Sequence, residues 1–391
     1  MFSWQRLTRR GGRPHRAGVG LRKLSLLLLL AVTVSGCAGG GLRHESWPGL
    51  LEHEGTLYVA NLERVQALNA ESGKVYWSFP PEEDKDTRPF YSTPQLAPDV
   101  GENGTLVVAG FKDQTVYGLA LGASPAERPD EVWRFAEASG QYVGTGTIAG
   151  DLFIIGNGDG NVYALDVEDG STAWSFDTAD RVWAKPLVVD ETVYVASLDH
   201  HLYALELETG AELWHFEAAG AISAAPVLID GDVWIGDFAS TLYRIDPEAQ
   251  EAVWTFEAGD WLWAAPVERD GILYFADVGG DVYALDISEQ ALVWDAPTSV
   301  GDVVHGQSVL SPDGGMLYVP GFKEGLLHAI DTTTGTVRSS WGTVQKNPGR
   351  LPGDLITDGE RLYSMPIMVA ARVQAFDLTS GELLWSTPEA E

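Results

Sequence analysis

A repeat of 40 residues dominates this sequence. Residues 161–176 read NVYALDVEDGSTAWSF, and the same pattern returns at 201–216, 241–256 and 281–296. A fixed period near 40 residues is the signature of a repeat architecture, in which each copy is one supersecondary unit. The aromatic residues that keep the spacing of 40 are Tyr163, Tyr203, Tyr243 and Tyr283, together with Trp174, Trp214, Trp254 and Trp294.

Each copy has the pattern of four short strands. In the first copy, Val162 alternates with Tyr163 in the period of two that is typical of a strand. The segment 166–170 reads as a hairpin loop, because Asp accepts backbone N–H groups and Gly tolerates a positive φ. Two further apolar runs precede each copy, for example 225–229 and 232–236. Four strands make one propeller blade, and the recurrent tryptophan would pack between blades.

Eight copies fill residues 47–391, so we predict one domain. The predicted fold is an all-β, eight-bladed β-propeller of four-stranded antiparallel blades. Blade 2 carries an expanded hairpin at 121–130, blades 3 to 6 are regular, and blade 7 closes at Trp341. No strand is left over after Trp385, so we expect the ring to close without exchanging a strand between its first and last blades.

Residues 1–36 are predicted to be a lipoprotein signal peptide. Seven basic residues precede an apolar run at 24–34, which is too short to span a bilayer. The run leads into VSGC, ending at Cys37, which resembles a bacterial lipobox. That resemblance implies that Cys37 is lipidated and that 37–46 is a tether, and the acyl chains would hold the domain at a membrane surface. The alternative is an ordinary signal peptide with an incidental cysteine.

The charge of the chain argues against nucleic acid as a partner. The formal net charge is −31, and it becomes −38 once the seven basic residues of 1–36 are removed. Such a surface repels phosphate backbones. A well-hydrated surface is the simple explanation of the acidity, and a patch for a basic partner is the alternative. The single cysteine leaves no intramolecular disulfide, so stability must come from packing between blades.

The recurring pattern resembles the repeat of PQQ-type propellers. It does not resemble WD40 repeats, which would show recurring Gly-His and Trp-Asp dipeptides. The resemblance covers about residues 47–386 and is strongest in blades 3 to 6. The residues that carry it in blades 4 and 5 are Tyr203-Ala204-Leu205, Thr209-Gly210, Trp214, Pro226 and Asp230-Gly231.

A lipoprotein made only of eight such blades resembles the BamB family, the propeller subunits of the machine that assembles outer-membrane proteins. The resemblance implies a non-catalytic scaffold in the cell envelope that contacts envelope proteins, including an outer-membrane β-barrel, through its loops. Ala38 stands where an Asp would retain a proteobacterial lipoprotein at the inner membrane, which favours the periplasmic face of the outer membrane. In a host with one membrane, the anchor would hold the chain on the outer side of the cytoplasmic membrane.

Quinoprotein dehydrogenases share this repeat, and resemblance to them would imply PQQ and calcium. Those enzymes carry two adjacent cysteines beneath the quinone, whereas Cys37 is the only cysteine here. The segment 157–161, NGDGN, resembles a calcium loop but falls at a turn between strands. His200 and His201 lie at an equivalent turn and lack a third zinc ligand. We therefore expect no catalytic residue, metal or cofactor, with a small-ligand binder or degenerate quinoprotein as the alternative.

The loops before the first strands place aromatic residues beside charges. First strands line the central channel of a propeller, so these side chains should meet at one mouth and form a ligand site or a partner hot spot. The alternative is that they plug the channel as core, in which case Trp183, Trp261 and Trp263 would be fully buried. The candidates are Tyr91, Tyr142, Arg181, Trp183, Lys185, Asp260, Trp261, Trp263, Asp302 and His305.

A basic island between blades 7 and 8 is a second candidate site. Arg338, Lys346 and Arg350 stand close together on an otherwise acidic chain. The alternative is a solvated loop that carries no function.

Overall fold

The structure is a computed structural model that describes residues 49–60, 64–81, 89–338, 350–367 and 373–387. These residues form eight antiparallel sheets of strands that follow one another along the chain. The predicted all-β, eight-bladed propeller is confirmed. The predicted signal peptide and tether, with Cys37, lie outside the described residues. Within the ranges that the structure describes, no helix is long and apolar enough to cross a membrane.

Blades 1 to 4 each contain four strands, and neighbours in sequence are neighbours in the sheet. Blade 1 is β1 (Gly49–His53), β2 (Thr56–Ala60), β3 (Val65–Asn69) and β4 (Val75–Phe79), and blade 2 is β5 (Gln95–Ala97), β6 (Thr105–Ala109), β7 (Val116–Ala120) and β8 (Asp130–Phe135). Blade 3 is β9 (Thr147–Ala149), β10 (Leu152–Gly156), β11 (Asn161–Asp166) and β12 (Thr172–Asp177), and blade 4 is β13 (Leu187–Val189), β14 (Thr192–Ala196), β15 (His201–Glu206) and β16 (Glu212–Glu217).

Blades 5 to 8 continue the ring with two local departures from the regular pattern. Blade 5 is β17 (Val227–Ile229), β18 (Asp232–Gly236), β19 (Thr241–Asp246) and β20 (Glu251–Glu257), and blade 6 is β21 (Val267–Arg269), β22 (Ile272–Ala276), β23 (Asp281–Asp286), β24 (Ala291–Leu292) and β25 (Thr298–Ser299). Blade 7 is β26 (Val309–Leu310), β27 (Met316–Pro320) and β28 (Leu327–Asp331), and blade 8 is β29 (Ile356–Thr357), β30 (Arg361–Ser364), β31 (Val373–Asp377) and β32 (Leu383–Thr387).

The two departures concern the fourth strands of blades 6 and 7. In blade 6 this strand is split into β24 and β25, which both pair with β23. Pro297 lies between β24 and β25 and has no N–H to donate to the sheet. In blade 7 the described residues include only a single bridge from Val337 to Ile330. The predicted closing residue of blade 7, Trp341, lies outside the described residues.

A tryptophan at the fourth-strand position joins four of the eight blades to the next one. In four interfaces its indole N–H donates to the carbonyl of the first residue of the next blade's third-to-fourth hairpin. A glycine with a φ of 68–73° in that hairpin lies flat on the indole, where a Cβ would come within 2.4–2.8 Å of the ring. The four bonds are Trp133–Val167 (2.9 Å), Trp174–Leu207 (2.8 Å), Trp294–Thr332 (3.0 Å) and Trp385–Ala70 (3.1 Å).

The last of these contacts closes the ring. The indole N–H of Trp385 in blade 8 donates to the carbonyl of Ala70 in blade 1, and Gly73 of blade 1 lies against the indole ring, as in the other three interfaces. All four strands of blade 8 come from residues 356–387. The prediction of closure without strand exchange is therefore confirmed.

The antiparallel strand order gives the ring two different faces. Turns between first and second strands and hairpins between third and fourth strands lie on one face, which we call the hairpin face; 53–56 and 120–130 are examples. Turns between second and third strands and the loops that enter each first strand lie on the other, which we call the channel face; 237–240 and 258–266 are examples. The candidate residues predicted from the sequence belong to the channel face.

Candidate functional site at the channel mouth

A cavity of about 300 Å³ lies where the chain enters the first strands. All eight blades contribute to its wall. In blades 2 to 7, two alternate positions of the entering segment line it, four and two residues before the first strand, because an extended chain turns every second side chain to the same side. In blade 8 the position two residues before the strand lines it as well. The first set is Tyr91, Val143, Trp183, Ser223, Trp263 and His305, and the second is Thr93, Thr145, Lys185, Ala225, Ala265, Gln307 and Asp354.

Five of the ten predicted site residues therefore line one cavity: Tyr91, Trp183, Lys185, Trp263 and His305. Trp183 and Trp263 are half-buried, and Trp261, at the rim, is 47% exposed. The three tryptophans are thus not sealed between blades as they would be in a solid plug. That they bind a ligand or partner stays a prediction.

Tyr142 does not lie at the channel mouth, which corrects the expectation from sequence. Its side chain is fully buried and packs with Phe153 in the core between blades 2 and 3. Tyr142 stands five residues before its first strand, in the same register as Val182 and Leu262, which are also buried. One residue of register separates the cavity wall from the core.

Asp302 is also a structural residue and not part of the cavity wall. It is 6% exposed and accepts hydrogen bonds from the backbone N–H groups of Val303, Lys323 and Glu324 at 2.7–3.0 Å. These bonds hold the second-to-third turn of blade 7 against the loop that enters the blade.

Arg181 and Asp260 lie on the channel face outside the cavity. The Arg181 guanidinium is exposed and stands 6.0 Å from the ring centroid of Trp183, within reach of a cation–π contact. Asp260 accepts a hydrogen bond from the N–H of Trp261 at 2.8 Å and so fixes the rim of the site.

A series of aromatic rings in contact with one another runs along the channel face, and we call it the aromatic arc. Phe238 stacks between Trp261 and Trp263, with centroid distances of 5.3 and 5.0 Å and interplanar angles of 20° and 23°. The series continues through His305 to Phe322 at 5.1 and 4.6 Å, and Arg350 lies 5.3 Å from the Phe322 centroid. The members of the aromatic arc are Trp261, Phe238, Trp263, His305, Phe322 and Arg350.

Sequence reasoning missed Phe238 and Phe322, although a signal was present. Both stand two residues after a second strand, as does Phe111, whose ring lies 4.3 Å from that of Tyr91. This recurring aromatic position could have been found by aligning the turns after the second strands as well as the loops before the first.

The two charged residues of the cavity face each other across the ring. Lys185 enters blade 4 and Asp354 enters blade 8, four blades away. Both side chains are exposed to the channel, and the blades around the channel enclose them. Burial therefore raises the pKa of Asp354, while the N–H of Gln307 at 2.7 Å and the charge of Lys185 act in the opposite direction. Burial likewise lowers the pKa of Lys185, and the charge of Asp354 opposes that shift.

Replacing Lys185 by methionine should raise the pKa of Asp354 further, because the ammonium that favours its ionised form is removed. The folded-state pKa of Asp354 lies above its unfolded value, so its contribution to stability is greatest where it is protonated and is lost as the pH rises through that pKa. A carbon-detected NMR titration of the Asp354 carboxyl group, assigned with Asp354→Asn, measures the shift. An unchanged pKa in Lys185→Met would show that the two charges do not interact across the channel.

The other candidates from the sequence have structural roles. The segment 157–161 forms the turn between β10 and β11, as predicted, and Asp159 accepts hydrogen bonds from Ser139, Asn161 and Tyr163. His201 contacts Asp199 within the equivalent turn of blade 4. Among the residues that the structure describes, no three His, Cys, Asp or Glu side chains converge as a metal site would require.

The basic island predicted between blades 7 and 8 is divided in the structure. Arg338 lies 3.6 Å from the carboxylate of Asp331, and Arg350 belongs to the aromatic arc. Lys346 lies outside the described residues.

The fold is an eight-bladed propeller, and its repeats are of the PQQ type. A model of the family described as outer membrane protein assembly factor BamB matches residues 124–240 and 239–391, more than half of the chain. The chain therefore belongs to the BamB family of PQQ-type propellers.

Solved structures share this fold at low sequence identity. BamB from Moraxella catarrhalis is 19% identical, with a TM-score of 0.65 over 81% of this chain and 90% of that one. The computationally designed Ika8 protein is 14% identical, with a TM-score of 0.67 over 86% and 98% of the two chains. A europium-containing methanol dehydrogenase is 15% identical, with a TM-score of 0.61 over 76% and 79%.

One curated relative is a longer protein. The serine/threonine-protein kinase AfsK of Streptomyces griseus is 27% identical over 147 residues, which are 36% of this chain and 17% of the kinase. The likeness to the methanol dehydrogenase raises the question of a quinone site. Cys37 is the only cysteine of the sequence, so the pair of adjacent cysteines expected beneath a quinone is absent. That the chain binds no quinone stays a prediction.

Proposed function

We propose that this chain is a non-catalytic platform of the cell envelope, anchored by a lipid on Cys37, that binds partner proteins through its channel face. In a host with an outer membrane, the partner would be an outer-membrane β-barrel protein or its assembly machinery. Membership of the BamB family supports this role, since that family is described as an outer membrane protein assembly factor.

The observation that carries the proposal is the aromatic arc. Protein–protein hot spots are rich in tryptophan, tyrosine and arginine that sit in ordered, partly desolvated positions. In the arc, Phe238 is stacked between Trp261 and Trp263, and the other rings are held by tilted contacts, so little side-chain freedom would be lost on binding. Trp261 stands at one end of the aromatic arc and is 47% exposed, so a large apolar surface is accessible there. The formal net charge, which is −38 once residues 1–36 are removed, would in addition favour a partner surface with basic residues.

A second candidate function is the binding of a small ligand within the channel. Lys185 and Asp354 offer one positive and one negative group on opposite walls of the cavity, with Tyr91, Trp183 and Trp263 between them. Convergent polar groups in an aromatic cavity of this size suit a small molecule that carries both charges.

Photo-crosslinking in living cells tests the platform function. A photoreactive phenylalanine analogue at position 261 should give a crosslink to an envelope protein, because this side chain is exposed at the end of the aromatic arc. The same analogue at position 132, which is 53% exposed on the outer strand β8, serves as the matched control and should give none. Equal labelling from both positions, or none from position 261, would contradict binding through the channel face.

A further inference from the structure

The interface between blades 1 and 2 differs from the other described interfaces. The third-to-fourth hairpin of blade 2 has nine residues, 121–129, whereas the hairpins that receive a tryptophan in blades 1, 3 and 4 have five. The corresponding turn of blade 7 is closed by a backbone bond from Asp331 to Thr336. Beside this longer hairpin, over Trp77 of blade 1, lies a cavity of about 250 Å³. It opens on the hairpin face, opposite the aromatic arc.

Two hydrogen-bond donors that belong to buried side chains border this cavity. Trp77 and Tyr58 are each 5% exposed, and their rings lie 6.1 Å apart. Neither the indole N–H of Trp77 nor the hydroxyl of Tyr58 donates to another of the described residues. The carbonyl of Leu121, which occupies the position of the acceptor in the regular interfaces, instead receives the side-chain amide of Asn103 at 3.3 Å. Burial beside Glu54 raises the pKa of Tyr58, so its hydroxyl keeps its proton.

The wall and rim of the cavity define what could enter it. Leu96, Pro98 and Pro125 give it apolar sides. Two exposed carboxylates, Glu54 and Glu127, stand at its mouth. A hydrogen-bond acceptor could therefore reach the two aromatic donors, while a basic group on the same molecule would meet the carboxylates.

The regular interfaces show which group fits over such a tryptophan. In each of the four, a glycine at positive φ covers the indole and a backbone carbonyl accepts its N–H. Trp214 and Trp254 face four-residue hairpins without glycine and are only half-buried, so they do not provide a buried indole surface for a turn. Trp77, in contrast, is buried and also lines a cavity.

We propose that the cavity over Trp77 binds a glycine-containing β-turn of a partner protein that carries a lysine or arginine. The turn would place its glycine on the indole, accept the Trp77 N–H with a backbone carbonyl, and direct its basic side chain to Glu54 and Glu127. This interaction uses the hairpin face and is independent of the platform function proposed for the channel face.

A cyclic peptide of residues 68–75, the hairpin that Trp385 contacts, is the probe for this site. It contains Gly73 and Lys74, and Glu71→Gln gives it a net positive charge. Isothermal titration calorimetry with the complete propeller should show one peptide bound per chain. The same peptide with Gly73→Val should not bind, because a Cβ at this glycine would lie 2.4 Å from an indole in the native contact.

Two protein variants locate the binding. Trp77→Phe removes one hydrogen-bond donor and should weaken binding about tenfold, whereas Trp254→Phe should leave it unchanged. Replacing residues 121–129 by VEDGS, the five-residue hairpin at 167–171, should close the cavity and abolish binding while the chain stays folded. Absence of binding to the native propeller, or binding that survives the hairpin exchange, would overturn the proposal.

Discussion

Replacing Trp133 by alanine should lower the free energy of unfolding by about 3–5 kcal/mol. Trp133 is 7% exposed, lies against Gly170 of the next blade and donates its indole N–H to the carbonyl of Val167 at 2.9 Å. The substitution removes both the packing between blades 2 and 3 and the partner of a buried carbonyl. Denaturant unfolding followed by circular dichroism measures the loss.

Trp214→Ala is the matched comparison for this prediction. Trp214 occupies the same repeat position but is half-buried, and its blade 5 neighbour is a four-residue hairpin without glycine. Its loss should cost about 1–2 kcal/mol, in proportion to the smaller apolar area that it buries. Equal losses for the two variants would show that the tryptophan–hairpin contact does not determine the stability of the blade interface.

Asp237→Ala should destabilise the chain by about 3–5 kcal/mol, because it leaves several buried donors without an acceptor. Asp237 is fully buried and accepts hydrogen bonds from the N–H groups of Gly220 and Thr241 at 2.8 Å, from Ala239 at 2.9 Å and from the Tyr243 hydroxyl at 3.1 Å. These bonds shape the turn that carries Phe238, so the substitution should also disturb the centre of the aromatic arc.

Asp237→Asn provides the control, since it keeps one acceptor oxygen. Blade 3 has Asn157 at this repeat position, and its side-chain oxygen accepts the N–H of Asp159 at 2.9 Å. We expect Asp237→Asn to cost less than about 2 kcal/mol. Thermal unfolding of both variants measures this difference, and near-ultraviolet circular dichroism reports on the stacked rings. Similar losses in the two variants would contradict the role assigned to the acceptor.

The repeat made the fold predictable, because a period near 40 with four strands per copy leaves few architectures open. The site was predictable only in part. Trp183, Trp263 and Lys185 were found because they precede first strands, whereas Tyr142 was misplaced by one residue of register. An extended chain sends neighbouring residues to opposite sides, so a small error in strand position exchanges cavity wall and core.

Other parts of the site depend on contacts that a linear pattern does not contain. Phe238 and Phe322 come from turns after second strands and meet the entry loops only in the folded ring. Asp354 faces Lys185 because blades 4 and 8 are opposite each other in a ring of eight. The cavity over Trp77 depends on the path of a nine-residue hairpin, which composition does not determine.

The most direct test of the platform function is purification of the lipidated chain from detergent-solubilised membranes, with the bound proteins identified by mass spectrometry. The proposal predicts that an outer-membrane β-barrel protein is recovered in stoichiometric amount, in a host with an outer membrane. Recovery of a small molecule without any protein partner would contradict it and would assign the channel cavity, with Lys185 and Asp354, to ligand binding.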